Sequence, residues 1–342
     1  MTDPINIINL DAQPTKIVSL QPKEVLDIRF WPTDICNFNC TYCFPGSKDA
    51  VYRYPKNIET VIKNFNLLFD LYKDKHNKQK FNINLVGGGE PTMWPHFKKF
   101  CDGIRQHHDV ELKVTTNGSR SLRWWEQNGL SVDKVTLSVH HEFADIDHTI
   151  KVLDFLHSSG TICTALVLMD AEYFDKCKGI IDRLQESKYP WFIEAKPIVD
   201  FEGKDSLSYT EEQKQYMKQD LKRIPDSDFV LNNMHLFRSH DSIAVYKDET
   251  IEPKRTSDYI NSDTNYYKDW NCNVALENLV IIFDGTVTGS CNAELFKDYN
   301  INLFAEDFEE KFNKASFNLS TIKCPFGKCS CQPDTHITKW KF

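Results

Sequence analysis

Between residues 25 and 199 strand-like runs take turns with helical patterns, and this alternation narrows the architectures open to the chain. Strand signals fall at Val25–Trp31, Phe81–Val86, Val110–Thr115, Lys134–Val139, Thr161–Met169 and Trp191–Val199. A helical pattern covers Ile58–Lys73, where Val61, Phe65, Leu68 and Tyr72 recur at helical steps. Further helical stretches lie near 96–107, 122–127, 147–157 and 174–187. Strands alternating with helices predict parallel βα units joined by right-handed crossovers. The expected fold is α/β, a partial (β/α)6 barrel of the TIM type. Its functional groups should gather at the carboxyl ends of the strands.

Those ends carry chemistry. The first strand runs into Cys36-Asn-Phe-Asn-Cys40-Thr-Tyr-Cys43, with no fourth cysteine nearby. Thiolates are soft ligands that suit iron–sulfur clusters or zinc, and closed sites of either kind normally take four protein ligands. Three thiolates on a four-iron cube leave one iron open to a small molecule. A zinc knuckle or three buried thiols are the plainer alternatives. The second strand ends in Gly87-Gly-Gly-Glu-Pro91, where glycines permit close backbone approach and Glu90 offers a carboxylate. The third ends in Thr115-Thr-Asn-Gly118, which by itself reads as an Asn-Gly turn. In the fourth, Thr136-Leu-Ser-Val-His-His141, alternation sets Thr136, Ser138 and His140 on one face.

The cysteine spacing with Tyr42 before the last cysteine, then the Gly-Gly-Glu-Pro and Thr-Asn-Gly elements, resembles the radical S-adenosylmethionine (SAM) superfamily. The resemblance implies that Cys36, Cys40 and Cys43 hold a [4Fe–4S] cluster whose open iron is chelated by SAM. It also implies reductive cleavage to a 5′-deoxyadenosyl radical that abstracts a hydrogen atom from substrate. Tyr42, Gly88, Gly89, Glu90, Asn117 and Ser138 would contact the cofactors. In that scheme Glu90 meets the amino group, Asn117 lies near the methionyl end and Ser138 meets the ribose. His140 and His141 lie where substrate would enter and are the catalytic acid–base candidates, although most histidines are structural. Lys196 is a possible anion ligand, with an ion-paired lysine as the plainer reading. Cys101, Cys163 and Cys177 read as small core residues.

The pattern changes near residue 200. A charged helix is expected over 209–224 and irregular chain over 225–265. Cys272 then precedes Leu279–Phe283, a hairpin turn at Asp284-Gly285, and Cys291. A cysteine on each side of a hairpin resembles the SPASM/twitch auxiliary-cluster module. Cys324, Cys329 and Cys331 would supply the remaining ligands. The set is too small for the two clusters of the fuller pattern, so one auxiliary [4Fe–4S] cluster is expected. Cys272, Cys291 and two of the final trio would hold it; a zinc site is the alternative. The chain thus divides into a lead over 1–24, a core over 25–200, a linking region over 201–265 and a small α+β module over 266–342.

A net charge of −8 without a block of like charge gives no basic face, so a nucleic-acid partner is not expected. No apolar stretch reaches membrane-spanning length. The N-terminus lacks a signal pattern, and the 11 cysteines cluster as metal ligands do, so a cytoplasmic location is expected. The resemblance implies a peptide or small-molecule substrate and an electron donor such as flavodoxin or ferredoxin. The reaction would be of maturase, oxidoreductase or epimerase type. The short lead over 1–24 leaves no room for the peptide-recognition domain that the resemblance implies for many peptide modifiers, so a peptide is the weaker expectation, with a leader free to bind elsewhere. The rivals are a viperin-like nucleotide-modifying enzyme and a non-catalytic iron–sulfur electron carrier. Gly88–Glu90 and Ser138 speak against the carrier, which needs no SAM pocket.

Overall fold

The computed structural model describes residues 13–43, 53–187, 192–199, 207–218, 241–290, 300–315, 320–325, 327–329 and 332–341. Its strands are β1 (Lys16–Ser19), β2 (Val25–Phe30), β3 (Lys80–Leu85), β4 (Asp109–Thr116), β5 (Lys134–Val139), β6 (Ile162–Met169) and β7 (Phe192–Pro197). Then come β8 (Asp241–Val245), β9 (Ile251–Arg255), β10 (Asn271–Cys272), β11 (Asn278–Ile281), β12 (Val287–Thr288), β13 (Ile322–Lys323) and β14 (Lys339–Trp340).

Strands β2 to β7 lie side by side in sequence order and all pair parallel. Among the described residues this sheet does not close, which agrees with a partial barrel. Leu26, Ile28 and Phe30 of β2, with Phe81, Ile83 and Leu85 of β3, are buried in the main core. Against them packs the helix Ile58–His76, through Val61, Phe65, Leu68, Phe69 and Tyr72. Asn57 caps its start by accepting from Thr60 N–H, and Asn77 ends it in the left-handed conformation. The remaining helices of the series, Phe97–Gly103, Leu122–Asn128, Ile146–Ser158 and Phe174–Gln185, bury apolar residues in the same core. On β2, β3 and β4 the opposite strand face is left mostly to polar residues, whereas on β6 it carries Ile162, Leu166 and Leu168.

Two features cross the divisions expected from sequence. Strand β11 joins the parallel sheet beside β2, and its hairpin partner β12 forms the edge. Strand β1, from the N-terminal lead, sits between β14 and β8 in a second, antiparallel sheet of order β13-β10-β14-β1-β8-β9. The segment expected to be irregular over 225–265 supplies β8 and β9, followed by the helix Thr256–Asn261. Strand β9 is short, charged and largely exposed, so alternation of apolar residues gives no signal there. A small cluster of Ile17, Ala244, Tyr259, Tyr267 and Trp270 forms around this second sheet.

Candidate functional site

The cysteine loop, the glycine turn and the Thr-Asn-Gly turn follow adjacent parallel strands, and the chain ties them together. Gly88 has φ +65°, and a Cβ on Gly89 would fall 2.0 Å from Ile35 O, so only glycine lets the turn lie on the start of the cysteine loop. Glu90 N–H donates to Ile35 O at 2.5 Å. The Glu90 carboxylate is buried and accepts from Thr92 N–H (3.0 Å), Thr92 Oγ1 (2.6 Å), Thr116 Oγ1 (2.6 Å) and Asn117 N–H (2.7 Å). It thus locks the glycine turn to the end of β4. Burial raises its pKa against the pull of these donors. Replacement by alanine strands two buried backbone N–H groups at about 1–3 kcal/mol each. Glu90→Ala is accordingly expected to lower the unfolding free energy of the apo-protein by about 2–5 kcal/mol in urea titration. A loss below about 1 kcal/mol would mean that backbone contacts alone hold the turns.

Asn117 completes the junction. Its Nδ2 donates to Asn37 Oδ1 at 3.0 Å and lies 3.8 Å from Cys36 Sγ, while its Oδ1 accepts from Ser119 N–H. Phe38 N–H also points at Cys36 Sγ, at 3.4 Å. Two donors on one sulfur suit a sulfur that carries negative charge. A cleft of about 280 Å³ opens beside Asn117, lined in part by Phe38, Ser119, Phe143, Asp145 and His148.

The three thiols differ in exposure: Cys36 is half-buried, Cys40 buried and Cys43 exposed. Burial raises the pKa of Cys36; burial, then Glu142, pushes Cys40 up to about 12. As free groups both hold protons at neutral pH, and bound iron is what would convert them to thiolates. Among the described residues no three His, Cys, Asp or Glu side chains converge at single-ion spacing. Three cysteine thiols on one loop are a soft donor set of the kind an iron–sulfur cluster takes.

His140 and His141 follow β5 in the turn after Val139, and the Tyr42 ring lies beside both, 5.9 Å from the first and 5.8 Å from the second. His140 Nδ1 lies 3.3 Å from Cys40 Sγ and 3.1 Å from Tyr42 Oη, and the Tyr42 ring stacks on it with an interplanar angle of 9°. Burial lowers the His140 pKa to about 4, so it backs the loop as a neutral ring. His141 is buried on the other side, stacked on Tyr173 with Nε2 3.9 Å from Asp170 Oδ2. Glu142 holds Thr41 through its N–H (2.9 Å) and Oγ1 (2.5 Å), fixing the loop between Cys40 and Cys43. Ser138 is half-buried on the polar face, in register with Leu166.

That polar face is a feature the motif reading passed over. One lateral row across the sheet reads Arg29, Asn84, Lys113, Lys134, and the next reads Asp27, Asn82, Glu111. Most of these groups satisfy one another: Asn82 donates to Asp27 at 2.9 Å, and Glu111 accepts from Lys134 at 2.7 Å and Lys80 at 3.4 Å. Arg29 and Lys113 form no hydrogen bond or ion pair among the described residues. They lie two strands apart, about 10 Å across the sheet. Burial lowers Arg29 to about 10 and Lys113 to about 8, with Lys134 and Arg29 adding like-charge repulsion at Lys113. The signal was present as polar residues at every second position of Asp27–Arg29, Asn82–Asn84 and Glu111–Thr115.

The C-terminal cysteines converge on the second sheet. Cys272 is buried, and Cys324 and Cys329 are half-buried. Cys324 N–H donates to Trp270 O, and Cys329 N–H to Asn265 O. Burial raises Cys272 to about 12 and Cys329 to about 11; Cys324 and Cys329 also push Cys272 up, and Cys324 pushes Cys329 up. Cys291 and Cys331 lie outside the described residues.

Residues 32–184 match the family model of the radical SAM superfamily. A GTP 3',8-cyclase of Edwardsiella ictaluri is 31% identical over 187 residues, covering 50% of this chain and 52% of its own length. A GTPase Obg of Brachyspira hyodysenteriae is 30% identical over 108 residues, 30% of this chain and 15% of its own length. The chain thus spans about half or less of these curated relatives. Among solved structures, native anSMEcpe with bound AdoMet has 15% identity and a TM-score of 0.52, covering 86% of this chain and 81% of that one. Among the described residues no helix is long and apolar enough to cross a membrane. The family match falls on the stretch that carries the cysteine loop, the glycine turn and the Thr-Asn-Gly turn, so residues 32–184 form a domain of the radical SAM superfamily.

Proposed function

We propose that this enzyme abstracts a hydrogen atom from a substrate held in the partial barrel by a carboxylate or phosphate group. The observation behind it is the pair Arg29 and Lys113, cations on the inner face with no partner among the described residues. Both are half-buried, and a partly desolvated cation binds an anionic group through charge-assisted hydrogen bonds. The matched GTP 3',8-cyclases are named for an anionic nucleotide. A small anionic metabolite or a peptide carboxylate would meet the same demand. When bound, the [4Fe–4S] cluster and SAM supply one-electron, hydrogen-abstracting chemistry. Cys36, Cys40 and Cys43 would hold the cluster; the glycine turn, Asn117 and Ser138 would hold SAM; Glu90 fixes the turn that does so. His140 shapes the wall between cluster and substrate. Cys272 with Cys291 and two of Cys324, Cys329 and Cys331 would hold an auxiliary [4Fe–4S] cluster.

The test is anaerobic reconstitution, reduction, and measurement of SAM-derived 5′-deoxyadenosine with matched anionic and esterified candidate substrates. Stimulation by the anionic form alone is expected. Lys113 binds an anion only while protonated, and its lowered pKa of about 8 means that this charge is present below that pH and lost above it. KM for substrate should therefore climb as pH rises past about 8. Lys113→Met should raise KM and remove that limb. Equal turnover of esterified substrates with a flat pH profile would refute the anion reading.

A further inference from the structure

Lys339 is 1% exposed and sits on β14 directly opposite Cys272 of β10, so the two side chains share one face of the antiparallel pair. Its Nζ donates to two backbone carbonyls, Asp334 O at 2.7 Å and Thr335 O at 3.1 Å, and lies 4.4 Å from the centre of the Tyr267 ring. Among the described residues no carboxylate comes within ion-pairing distance of it. The groups facing it are Cys272, Cys324, Cys329 and the Asp334 carboxylate, and Asp334 also acts on Arg29. Tyr267 Oη, in the same pocket, is buried without a hydrogen-bond partner among the described residues. An ammonium in such a place is costly unless negative charge lies beside it. The Asp334 carboxylate supplies part of that charge without pairing with Nζ; neutral thiols supply none, whereas thiolates bound to iron would supply the rest.

Resting on the auxiliary-cluster reading above, we propose that Lys339 is the charge-compensating residue of the C-terminal iron–sulfur centre and raises its reduction potential. Reduction adds negative charge to the centre, and a fixed buried cation stabilises the reduced form more than the oxidised form. Lys339 thereby biases the centre toward accepting an electron.

The experiment uses the full chain carrying Cys36→Ala, Cys40→Ala and Cys43→Ala, so that any remaining cluster is the C-terminal one. Iron and sulfide are assayed, and the midpoint potential is measured by titration followed by electron paramagnetic resonance. Lys339→Met should make reduction harder by about tenfold or more in equilibrium constant, which for one electron is about 59 mV to more negative potential. Lys339→Arg, which keeps the charge, should stay close to the parent. Loss of iron in Lys339→Met with folded circular dichroism, restored in Lys339→Arg, would equally support charge compensation. An unchanged potential at full iron occupancy, or iron loss that Arg does not restore, overturns the role of Lys339. Zinc, or no iron, in the parent protein overturns the auxiliary-cluster reading instead.

Discussion

Alanine at Cys36, Cys40 and Cys43 together is expected to reduce SAM cleavage to background while iron remains in the C-terminal module. The reason is ligand count: the loop has three thiols and no fourth, so each loss removes a third of the protein's hold on the cluster. The structure adds that the loop is not supported by metal alone. Glu142 holds Thr41, Asn117 Nδ2 reaches Cys36, and Tyr42 stacks on His140. The triple variant should therefore keep the fold, seen as unchanged far-ultraviolet circular dichroism, and lose only the chemistry. Residual 5′-deoxyadenosine above background in the triple variant would remove the loop from the cofactor site.

The second large effect concerns substrate. Arg29→Met and Lys113→Met each delete one charge-assisted contact of about 1.5–3 kcal/mol, or roughly 10- to 150-fold in kcat/KM. Most of the loss should lie in KM, because the contact is made equally in ground and transition states. The double variant should lose less than the product of the single effects, since the two cations share one anion. Uncoupled SAM cleavage without substrate should be unchanged in both, because among the described residues neither side chain forms a hydrogen bond or ion pair with the cysteine loop or the turns beside it. A pair of variants with parental KM would leave the inner-face cations as elements of sheet electrostatics alone.

Much of the site was legible because it depends on short-range chemistry. The spacing of Cys36, Cys40 and Cys43, the glycines at 87–89 and the strand alternation at Thr136–His140 are local facts. What the motif at Gly87–Pro91 does not tell is where the Glu90 carboxylate goes. Sequence suggests an acceptor for an ammonium, and the fold gives that carboxylate donors from Thr92, Thr116 and Asn117. Thr116 and Asn117 lie 26 and 27 residues away in sequence, so only strand pairing brings them there. His140 and His141 illustrate the same limit: both lie just past the end of β5, and nothing local tells that one would rest on Cys40, the other on Tyr173, and Tyr42 beside both.

The sequence by itself determined the repeating βα architecture, the order of the motifs and the soft, three-ligand character of the cysteine loop. Periodicity and spacing act within a few residues and survive without knowledge of the whole chain. The tertiary structure decided what those parts face. Register across β2, β3 and β4 aligned Arg29, Asn84 and Lys113 into one row, and paired off the neighbouring charges while Arg29 and Lys113 kept no hydrogen bond or ion pair among the described residues. The same holds at the other end of the chain, where β10 and β14 set Lys339 against Cys272 across 67 positions of sequence. Burial and partner choice are properties of contacts between distant segments, and the free energy of a charge depends on them far more than on its neighbours in the chain.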